Sequence, residues 1–369
     1  MSYYGGVGGV GGVGGVGGVG GVGGVGNLNA TGLGGFLGAG TVAVYDPITV
    51  QGLQISAQAI THAAGNAPVH TPGELPFSST GNLDYWADWV RASLYLSDFL
   101  SELQWNIEAE PGGAVQLSHR AQGGSAQPFF ELVRPEMSVF VEQLKLVRSY
   151  MDQRSERTPE IISQLGFPTP YFAMILGLHP ARNGKTFELI SITQVLAAHV
   201  AMIVKHHLAI RRPDRIDATV MPIIPTPGHG SFPSAHATEA FAVARVLEGL
   251  VDKTSSHYPD PDKRKNLVRK QAERVAVSRT VAGVHYPIDS WAGALLGTMV
   301  GDIILNKCGI SHLLTGLKYE AKGESDFMLA HFKDPDWKAH GVSELQNCQV
   351  SGSPLFEWLW GKSVEEFEL

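Results

Sequence analysis

Three short segments of the chain carry residue types that can act together on an oxyanion. They span 85 positions and supply three cations, a hydroxyl, two imidazoles and a carboxylate: Lys205, Arg212, Ser234, His236, Arg279, His285 and Asp289. Cations neutralise the oxygens of a tetrahedral or trigonal-bipyramidal anion, and imidazoles exchange protons near neutral pH. The set therefore predicts an oxyanion site with acid/base chemistry.

The first segment supplies two cations at helical spacing. Lys205 and Arg212 are seven positions apart, which at about 100° per residue returns to nearly the same face of a helix. Pro213 disfavours the α conformation at Arg212, so we expect the helix to end there with both charges pointing one way. Two surface cations are the alternative interpretation of this spacing.

The second segment resembles the start of a helix. Ser234 stands at the N-cap position, after Pro233 and before a helix-compatible run from Ala235 to Leu250. The unpaired N–H groups and positive potential of a helix N-terminus favour an anion. His236 would lie in the first turn, where it can donate or accept a proton. An ordinary capped helix with a surface histidine is the alternative.

The third segment contains a cation, Arg279, and a possible His–Asp pair. With Pro287 in the first turn of a helix, Asp289 can reach back to one ring nitrogen of His285 and fix its tautomer. The other nitrogen is then free to attack phosphorus or to bind a metal. A structural hydrogen bond is the alternative. Gathering three cations without an anion would cost several kcal/mol per unpaired charge, which favours one shared anion.

The elements that position these residues are predicted to be helices. Apolar residues recur at helical spacing in residues 84–104, 134–151 and 189–210. Start and stop signals predict further helices over 234–250, over the charged stretch 262–278, and from 287 to before Gly309. No convincing series of alternating strands lies between them, so we expect an all-α fold, a helical bundle domain. We assign residues 41–310 to this domain, and residues 311–369 to an extension that packs on it or on a partner subunit.

The chain opens with a low-complexity segment. Residues 5–25 are seven copies of Gly-Gly-Val. Ordering two glycines in three costs more conformational entropy than one valine per triplet recovers. Residues 1–40 are therefore predicted to be a disordered tail, with a glycine-rich assembly element as the alternative.

Overall composition limits the partners. The net charge of -7 and pI near 6.0 argue against nucleic acid as the main partner. Cys308 and Cys348 are the only cysteines, so neither a disulfide framework nor a Cys-based zinc site is predicted. No uninterrupted apolar run reaches the ~18 residues of a membrane span, and the N-terminus lacks a signal-peptide pattern. We expect a soluble chain with no membrane partner, in a compartment that the sequence leaves open.

The motifs KHHLAIRRP, FPSAH and SRTVAGVHYPID resemble a superfamily that joins vanadium-dependent haloperoxidases to type 2 phosphatidic acid phosphatases and bacterial class A acid phosphatases. They occupy less than a quarter of the chain. The resemblance implies a helical domain that holds the oxygens of vanadate or phosphate with Lys205, Arg212, Arg279, Ser234 and the Ala235 N–H.

The resemblance also implies roles for the remaining side chains. His285 would be the vanadium ligand in a peroxidase or the phosphoryl-accepting nucleophile in a phosphatase, and Asp289 would orient it. His236 would bind the apical hydroxide or protonate the leaving alcohol, and Lys205 would polarise bound peroxide.

Three neighbouring positions bear on the choice between the two reactions. The family usually has Gly where this chain has Ala235, and haloperoxidases commonly have Trp at the position of Met202. His229 stands where bromoperoxidases of the family often carry a second active-site histidine. We assign His229, Met202 and Phe232 to a halide or substrate pocket.

The favoured interpretation is a vanadium-dependent haloperoxidase that oxidises bromide or iodide with hydrogen peroxide and passes the product to an organic acceptor. Vanadate would be the cofactor, and phosphate can occupy the same site. An acid phosphatase with a phosphohistidine at His285 is the alternative. A catalytically silent scaffold with a structural glycine repeat is the third possibility. We expect a homodimer or larger homo-oligomer in each case.

Overall fold

The computed structural model describes residues 47–64, 73–109, 112–120, 124–310, 314–332 and 335–368. The predicted Gly-Gly-Val tail lies outside these residues. The described α-helices are α1 (Pro47–Ala64), α2 (Asp88–Glu102), α3 (Met137–Ser149), α4 (Arg154–Ser163), α5 (Thr169–Leu176), α6 (Gly184–Leu208), α7 (Ala235–Lys253), α8 (Pro261–Val281), α9 (Pro287–Lys307), α10 (Asp336–Ala339) and α11 (Pro354–Glu365).

The prediction of an all-α fold is wrong, because the chain also forms a five-stranded sheet. The strands are β1 (Leu103–Ile107), β2 (Ala114–Arg120), β3 (Ala126–Val133), β4 (Leu314–Tyr319) and β5 (Val342–Cys348), paired in that order. The β3/β4 pair is parallel and the other pairs are antiparallel.

The sheet escaped sequence analysis for two physical reasons. Strand β2 is buried on both faces, so it lacks the alternation of polar and apolar residues that marks a half-exposed strand. Phe130 of β3 faces Leu317 of β4, a pairing between distant parts of the chain that no local pattern encodes. Strand β1 follows directly after α2, which made the two look like one longer helix.

The C-terminal residues pack on the same core. Strands β4 and β5 extend the sheet, and α11 lies against α6. Phe356 of α11 is fully buried, with its ring 5.4 Å from the ring of Tyr95. Burial of aromatic surface of this size contributes on the order of 2 kcal/mol, which fixes the extension to the helical domain.

Helices α7 and α9 approach closely along a row of glycines on α9. A Cβ added to Gly293 would lie 2.5 Å from the carbonyl oxygen of Ser234, and Gly297 and Gly301 face the next turns of α7 in the same way. The close approach lets the Ser234 N–H donate to the carbonyl of Asp289 at 2.8 Å. The glycine row thus brings the N-termini of the two helices together, where residues of the predicted site lie.

Replacing Gly293 with Ala should lower the free energy of unfolding by about 1–3 kcal/mol, because the two helices must separate to admit the methyl group. Chemical denaturation measures this change. Gly361→Ala in α11 is the matched control, since a Cβ there meets nothing within 4 Å. That variant should be neutral or slightly stabilising. Equal effects of the two substitutions would contradict this account of the α7/α9 contact.

The prediction of a soluble chain without a membrane partner is wrong. Its premise was that no segment is long and apolar enough to span a membrane. Two helical segments, Gly184–Arg215 and Pro287–Lys307, are long and apolar enough to cross a membrane by length and composition, although both are mostly buried in the core. Neither segment is an uninterrupted apolar run, but isolated polar residues such as Gln194 and Asp302 leave the average hydropathy of a segment high.

Candidate active site

Lys205 and Arg212 come together by a route that differs from the prediction. Helix α6 ends at Leu208, where Ala209 adopts a left-handed conformation with φ 51° and ψ 42°. Arg212 is extended, with φ −70° and ψ 156°, in agreement with the restriction that Pro213 imposes. The two cations therefore do not share a helix face. The chain turns back at Ala209 and carries Arg212 toward the site.

Both cations are buried and bind backbone carbonyls. The Lys205 ammonium donates to the carbonyls of Gly230 and Ser231, each at 2.7 Å. The Arg212 guanidinium donates to the carbonyls of His229 at 3.0 Å and Val284 at 2.7 Å. Carbonyls satisfy N–H donors but do not neutralise charge, so burial lowers the pKa of Arg212 to about 10 and that of Lys205 well below its ordinary value.

Arg279 enters the site from the last turn of α8. One terminal nitrogen donates to the carbonyl of Ile161 at 3.0 Å and to the side-chain oxygen of Gln164 at 3.4 Å. Its Nε and its other terminal nitrogen have no hydrogen-bond partner among the described residues, although the side chain is buried. A buried guanidinium with two unpaired N–H groups has the donor geometry that a phosphate-like anion requires.

The other buried cations of the described chain differ from these three, because each has a carboxylate partner. Arg91 pairs with Glu188 at 2.5 Å, Lys307 with Asp98 at 2.9 Å, and Arg157 with Glu160 at 3.7 Å. Within the described residues, no ion pair of this kind involves the site cations Lys205, Arg212 and Arg279. Three buried positive charges without a carboxylate in contact favour a polyvalent anion as the missing partner.

His285 and Asp289 form the pair that the sequence predicted. Nδ1 of His285 lies 2.7 Å from Oδ2 of Asp289, and the same oxygen accepts from the Ser231 hydroxyl at 2.5 Å and from the Tyr286 N–H at 3.0 Å. Burial raises the pKa of the Asp289 carboxyl to about 6, although these donors and Lys205 favour its ionised form. Three donors therefore hold this oxygen in place.

The hydrogen bonds of His285 define its tautomer. Arg212 can only donate, so its contact with Nε2 of His285 at 2.8 Å requires a lone pair on that nitrogen. The ring proton must then sit on Nδ1, where it is donated to Asp289. Burial and the charges of Arg212 and Lys205 lower the pKa of His285 well below its ordinary value, which keeps the ring neutral. The result is a neutral imidazole whose Nε2 lone pair points among the cations.

His236 lies in the first turn of α7 and is partly exposed. Its Nε2 donates to the carbonyl of Gln164 at 3.0 Å. Burial and the positive charge of Arg279 lower its pKa well below the ordinary value for histidine. A dianion bound to Arg279 would cancel part of that positive field and raise the pKa again, which suits a group that gives up and recovers a proton during turnover.

The helix start predicted at Ser234 is confirmed. Ser234 is the N-cap of α7, and its hydroxyl accepts from the Ala237 N–H at 3.4 Å. Ala235 is the first helical residue and is buried. The first-turn N–H groups of α7 thus lie next to the His285–Asp289 pair, as the contact of the Ser234 N–H with Asp289 requires.

The three residues assigned to a halide or substrate pocket lie in different places. His229 is partly exposed, and its Nδ1 lies 3.1 Å from a terminal nitrogen of Arg212 and 3.2 Å from the carbonyl oxygen of Gly230. Burial lowers the pKa of His229 to about 3, with Lys205 and Arg212 adding to the effect. Met202 is partly buried against the core. Phe232 is fully buried, with its ring 6.0 Å from that of Phe140. The structure therefore brings His229 to the cations, but it directs Phe232 into the core.

Two residues that hold the site together were not predicted from the sequence. Ser231 binds Asp289 through its hydroxyl and Lys205 through its carbonyl. Gln164 contacts both His236 and Arg279 from beyond the end of α4. Ser231 lies next to the FPSAH motif, and this position could have indicated a role in the site. Nothing in the sequence around Gln164 indicates such a role, because its contacts join segments more than 70 positions apart.

Among the described residues, no group of three or more His, Cys, Asp or Glu side chains is arranged to hold a metal ion. A metal oxyanion at this site would therefore be held by the cations and a single imidazole. The unpaired N–H groups of Arg279 and the lone pair on Nε2 of His285 fit such a group.

Comparison with known proteins places this region in context. Residues 188–307 match the model of the PAP2 superfamily. A vanadium-dependent bromoperoxidase from Ascophyllum nodosum is 35% identical over 94 residues, which cover 20% of this chain and 17% of the relative. A decaprenylphosphoryl-5-phosphoribose phosphatase from Mycobacterium tuberculosis (strain CDC 1551 / Oshkosh) is 34% identical over 109 residues, which cover 30% of this chain and 54% of the relative. The chain thus spans about half the length of the phosphatase, and less of the bromoperoxidase.

Two solved structures are also similar. One is a transmembrane PAP2 type phosphatidylglycerolphosphate phosphatase from Bacillus subtilis, with 21% identity and a TM-score of 0.34 over 45% of this chain and 84% of that chain. The other is a bacterial vanadium-dependent iodoperoxidase, with 18% identity and a TM-score of 0.36 over 47% of this chain and 49% of that chain.

Proposed function

We propose that residues 188–307, a PAP2 superfamily domain, bind a tetrahedral oxyanion and hydrolyse phosphate monoesters. The observation that carries this proposal is a set of three buried cations without carboxylate partners beside two imidazoles: Arg212 and Lys205 act on His285, and Arg279 acts on His236. A phosphate ester dianion neutralises the cluster, and a neutral imidazole lone pair is the nucleophile that phosphoryl transfer through histidine needs.

The first chemical step would form a phosphohistidine. Arg212 shifts from Nε2 of His285 to a phosphate oxygen, and Lys205 and Arg279 bind the others. The Nε2 lone pair attacks phosphorus while the bond from phosphorus to the ester oxygen breaks. His236, protonated in the presence of the dianion, gives its proton to the leaving oxygen. Asp289 stabilises the positive ring that results.

The second step would release phosphate. A water molecule takes the place of the departed alcohol, and neutral His236 accepts its proton as the water oxygen attacks phosphorus. The bond between phosphorus and Nε2 breaks, and its electron pair returns to His285. Inorganic phosphate leaves and His236 keeps the proton for the next turnover. Each residue thus ends the cycle in its starting state.

Hydrolysis of a chromogenic phosphate ester tests the proposal. We expect turnover that orthovanadate inhibits competitively, together with a phosphorylated protein that is stable to alkali and labile to acid after rapid quenching of a labelled substrate. His206→Ala is the matched control, because this exposed histidine lies on α6 beside Lys205. Absence of both turnover and labelled protein would overturn the proposal.

A second candidate function is vanadium-dependent halide oxidation, and the placement of His229 favours it. This second imidazole contacts Arg212 and stays partly exposed at the edge of the cation cluster. Lys205, Arg212 and Arg279 would hold the oxygens of vanadate, and Nε2 of His285 would bind the metal. Bound vanadate supplies activation of hydrogen peroxide for the oxidation of bromide or iodide, with an organic acceptor taking the product.

Bromination and ester hydrolysis separate the two candidate functions, whereas the melting temperature does not. Orthovanadate should raise the melting temperature in either case, because a ligand at 100 times its Kd adds about 2.7 kcal/mol to the free energy of unfolding. Bromination of a phenolic dye that needs vanadate, peroxide and bromide together would favour the oxidase. Ester hydrolysis without such bromination would favour the phosphatase. A chain that shows vanadate binding but neither activity would contradict both.

A further inference from the structure

One buried acid beside the cation cluster has no part in the steps above. Glu239 lies on α7 one helical turn after His236 and is fully buried. Neither carboxyl oxygen has a hydrogen-bond partner among the described residues, and the amide of Gln194 approaches without reaching hydrogen-bond geometry. An acid in this position needs an explanation, because a buried polar group without a partner is costly.

The surroundings of Glu239 connect it to the oxyanion site. Its charge acts on Lys205 of α6 and on Arg279 of α8 without an ion-pair contact to either. Asp289 of α9 acts on the same ammonium group of Lys205. His236 lies one turn before Glu239 on the same helix. Glu239 is therefore within electrostatic reach of two of the cations that would bind the oxyanion.

We propose that Glu239 is a proton-linked counter-charge of the oxyanion site, which binds its proton more tightly when a tetrahedral dianion binds to Lys205 and Arg279. The inference rests on the proposed function, because it assumes that an oxyanion binds at these cations. The bound dianion cancels the positive field that stabilises the carboxylate, and it also repels the carboxylate directly. Anion binding is then linked to uptake of a proton from solvent, up to one proton per anion.

Burial favours the protonated form of Glu239. Burial raises its pKa well above the usual value for a glutamate, while Lys205 and Arg279 oppose this shift. When a dianion removes that opposition, the pKa rises further. At a pH between the pKa of Glu239 without the anion and its pKa with the anion bound, anion binding takes up a proton. The affinity for the anion then falls as pH rises, by up to tenfold per pH unit. Glu239→Gln carries no titratable proton, so its anion affinity should lose this part of the pH dependence.

Sulfate is the suitable probe, since it is a tetrahedral dianion that does not itself titrate near neutral pH. Calorimetric titration of the full-length protein in two buffers with different ionisation enthalpies gives the number of protons taken up per sulfate. We expect wild type to take up more protons than Glu239→Gln, by up to one per sulfate. The variant should bind sulfate at least as tightly, with a Kd that depends less on pH. Lys205, His236 and Asp289 are present in both proteins.

The control is Glu248→Gln, which removes another buried carboxylate from the same helix, one that Arg269 neutralises. It should keep the proton uptake of wild type. Equal uptake by wild type and Glu239→Gln would overturn the inference but leave the oxyanion site intact. Failure of wild type to bind sulfate would overturn the site itself, and the proposed function with it.

A measurement on wild type keeps the test decisive if Glu239→Gln does not fold. Infrared difference spectra at about pH 8, above the titration of Asp289, should gain the C=O band of a protonated carboxyl when sulfate is added. A spectrum without that gain would contradict protonation of Glu239.

Discussion

Replacing His285 with Ala should lower kcat for a phosphate ester by about 10⁴-fold or more, because the variant lacks the nitrogen that attacks phosphorus. The three cations and the first turn of α7 remain, so the variant should still bind sulfate or orthovanadate. A loss of turnover with retained anion binding separates the role of His285 in chemistry from any role in folding. Initial rates and a calorimetric Kd measure the two quantities.

The same variant distinguishes covalent catalysis from direct attack by water. If water attacked phosphorus directly, the cations alone would supply most of the rate, and kcat would fall by less than about tenfold. That result would exclude a phosphohistidine. Labelled protein after rapid quenching should appear in wild type and in His206→Ala, and should be missing from His285→Ala. Both variants need a melting temperature near that of wild type for the comparison to count.

The residues of the candidate site could be selected from the sequence because the chemistry restricts their types. Arg and Lys neutralise an oxyanion, Ser caps a helix, and an Asp four positions after a His reaches its ring when a helix begins between them. Each of these relations is local, or depends only on residue type. The structure brings Arg212 into contact with His285, which pairs with Asp289, and places Arg279 beside Gln164, which also contacts His236.

The supporting residues could not be selected in that way. Gln164 is an ordinary polar residue until α4 packs against α8 and places it beside Arg279. Glu239 looks like one acid on a helix, and only tertiary packing reveals that it is buried without a partner. The position of Arg212 was predicted for the wrong reason, since a left-handed turn at Ala209 replaces the last helical turns. Long-range packing decides all three cases.

The sheet illustrates the same limit at the level of the fold. Strands β1 to β3 are local neighbours, but their buried faces hide the alternation that would have identified them. Strand β4 pairs with β3 although helices α3 to α9 lie between the two strands in sequence. A prediction from local periodicity finds the helices well, because their period is visible within one segment, and it fails where the partner of a segment lies elsewhere.

The resemblance of the site to both phosphatases and haloperoxidases follows from its chemistry. At the proposed site, a dianionic phosphate ester and vanadate would present similar oxygens to the same cations, and both would use one imidazole nitrogen. The choice between them depends on groups at the edge of the cation cluster, of which His229 is the one that the structure places in contact with Arg212. The measured ratio of hydrolysis to bromination, rather than the presence of the cations, therefore decides the function.

Replacing Asp289 with Asn should lower kcat by about 10²–10⁴-fold while the KM for the ester changes little. The carboxylate forces the ring proton of His285 onto Nδ1 and leaves the lone pair on Nε2. An amide can present its NH₂ group instead, which moves the ring proton to Nε2 and removes the nucleophile. The cations that bind the ester are unchanged, so the loss appears in kcat.

The stability of the same variant should move in the opposite direction. Because the folded pKa of Asp289, about 6, lies above its ordinary value, the folded protein binds this proton more tightly than the unfolded chain does. Wild type therefore loses stability as pH rises from about 4 to about 6, and Asn removes that loss. At neutral pH the melting temperature of Asp289→Asn should equal or exceed that of wild type. Nitrogen NMR of the His285 ring should show the proton on Nδ1 in wild type and displaced in the variant. An unchanged tautomer with an unchanged kcat would mean that Ser231 and Arg212 alone orient the ring.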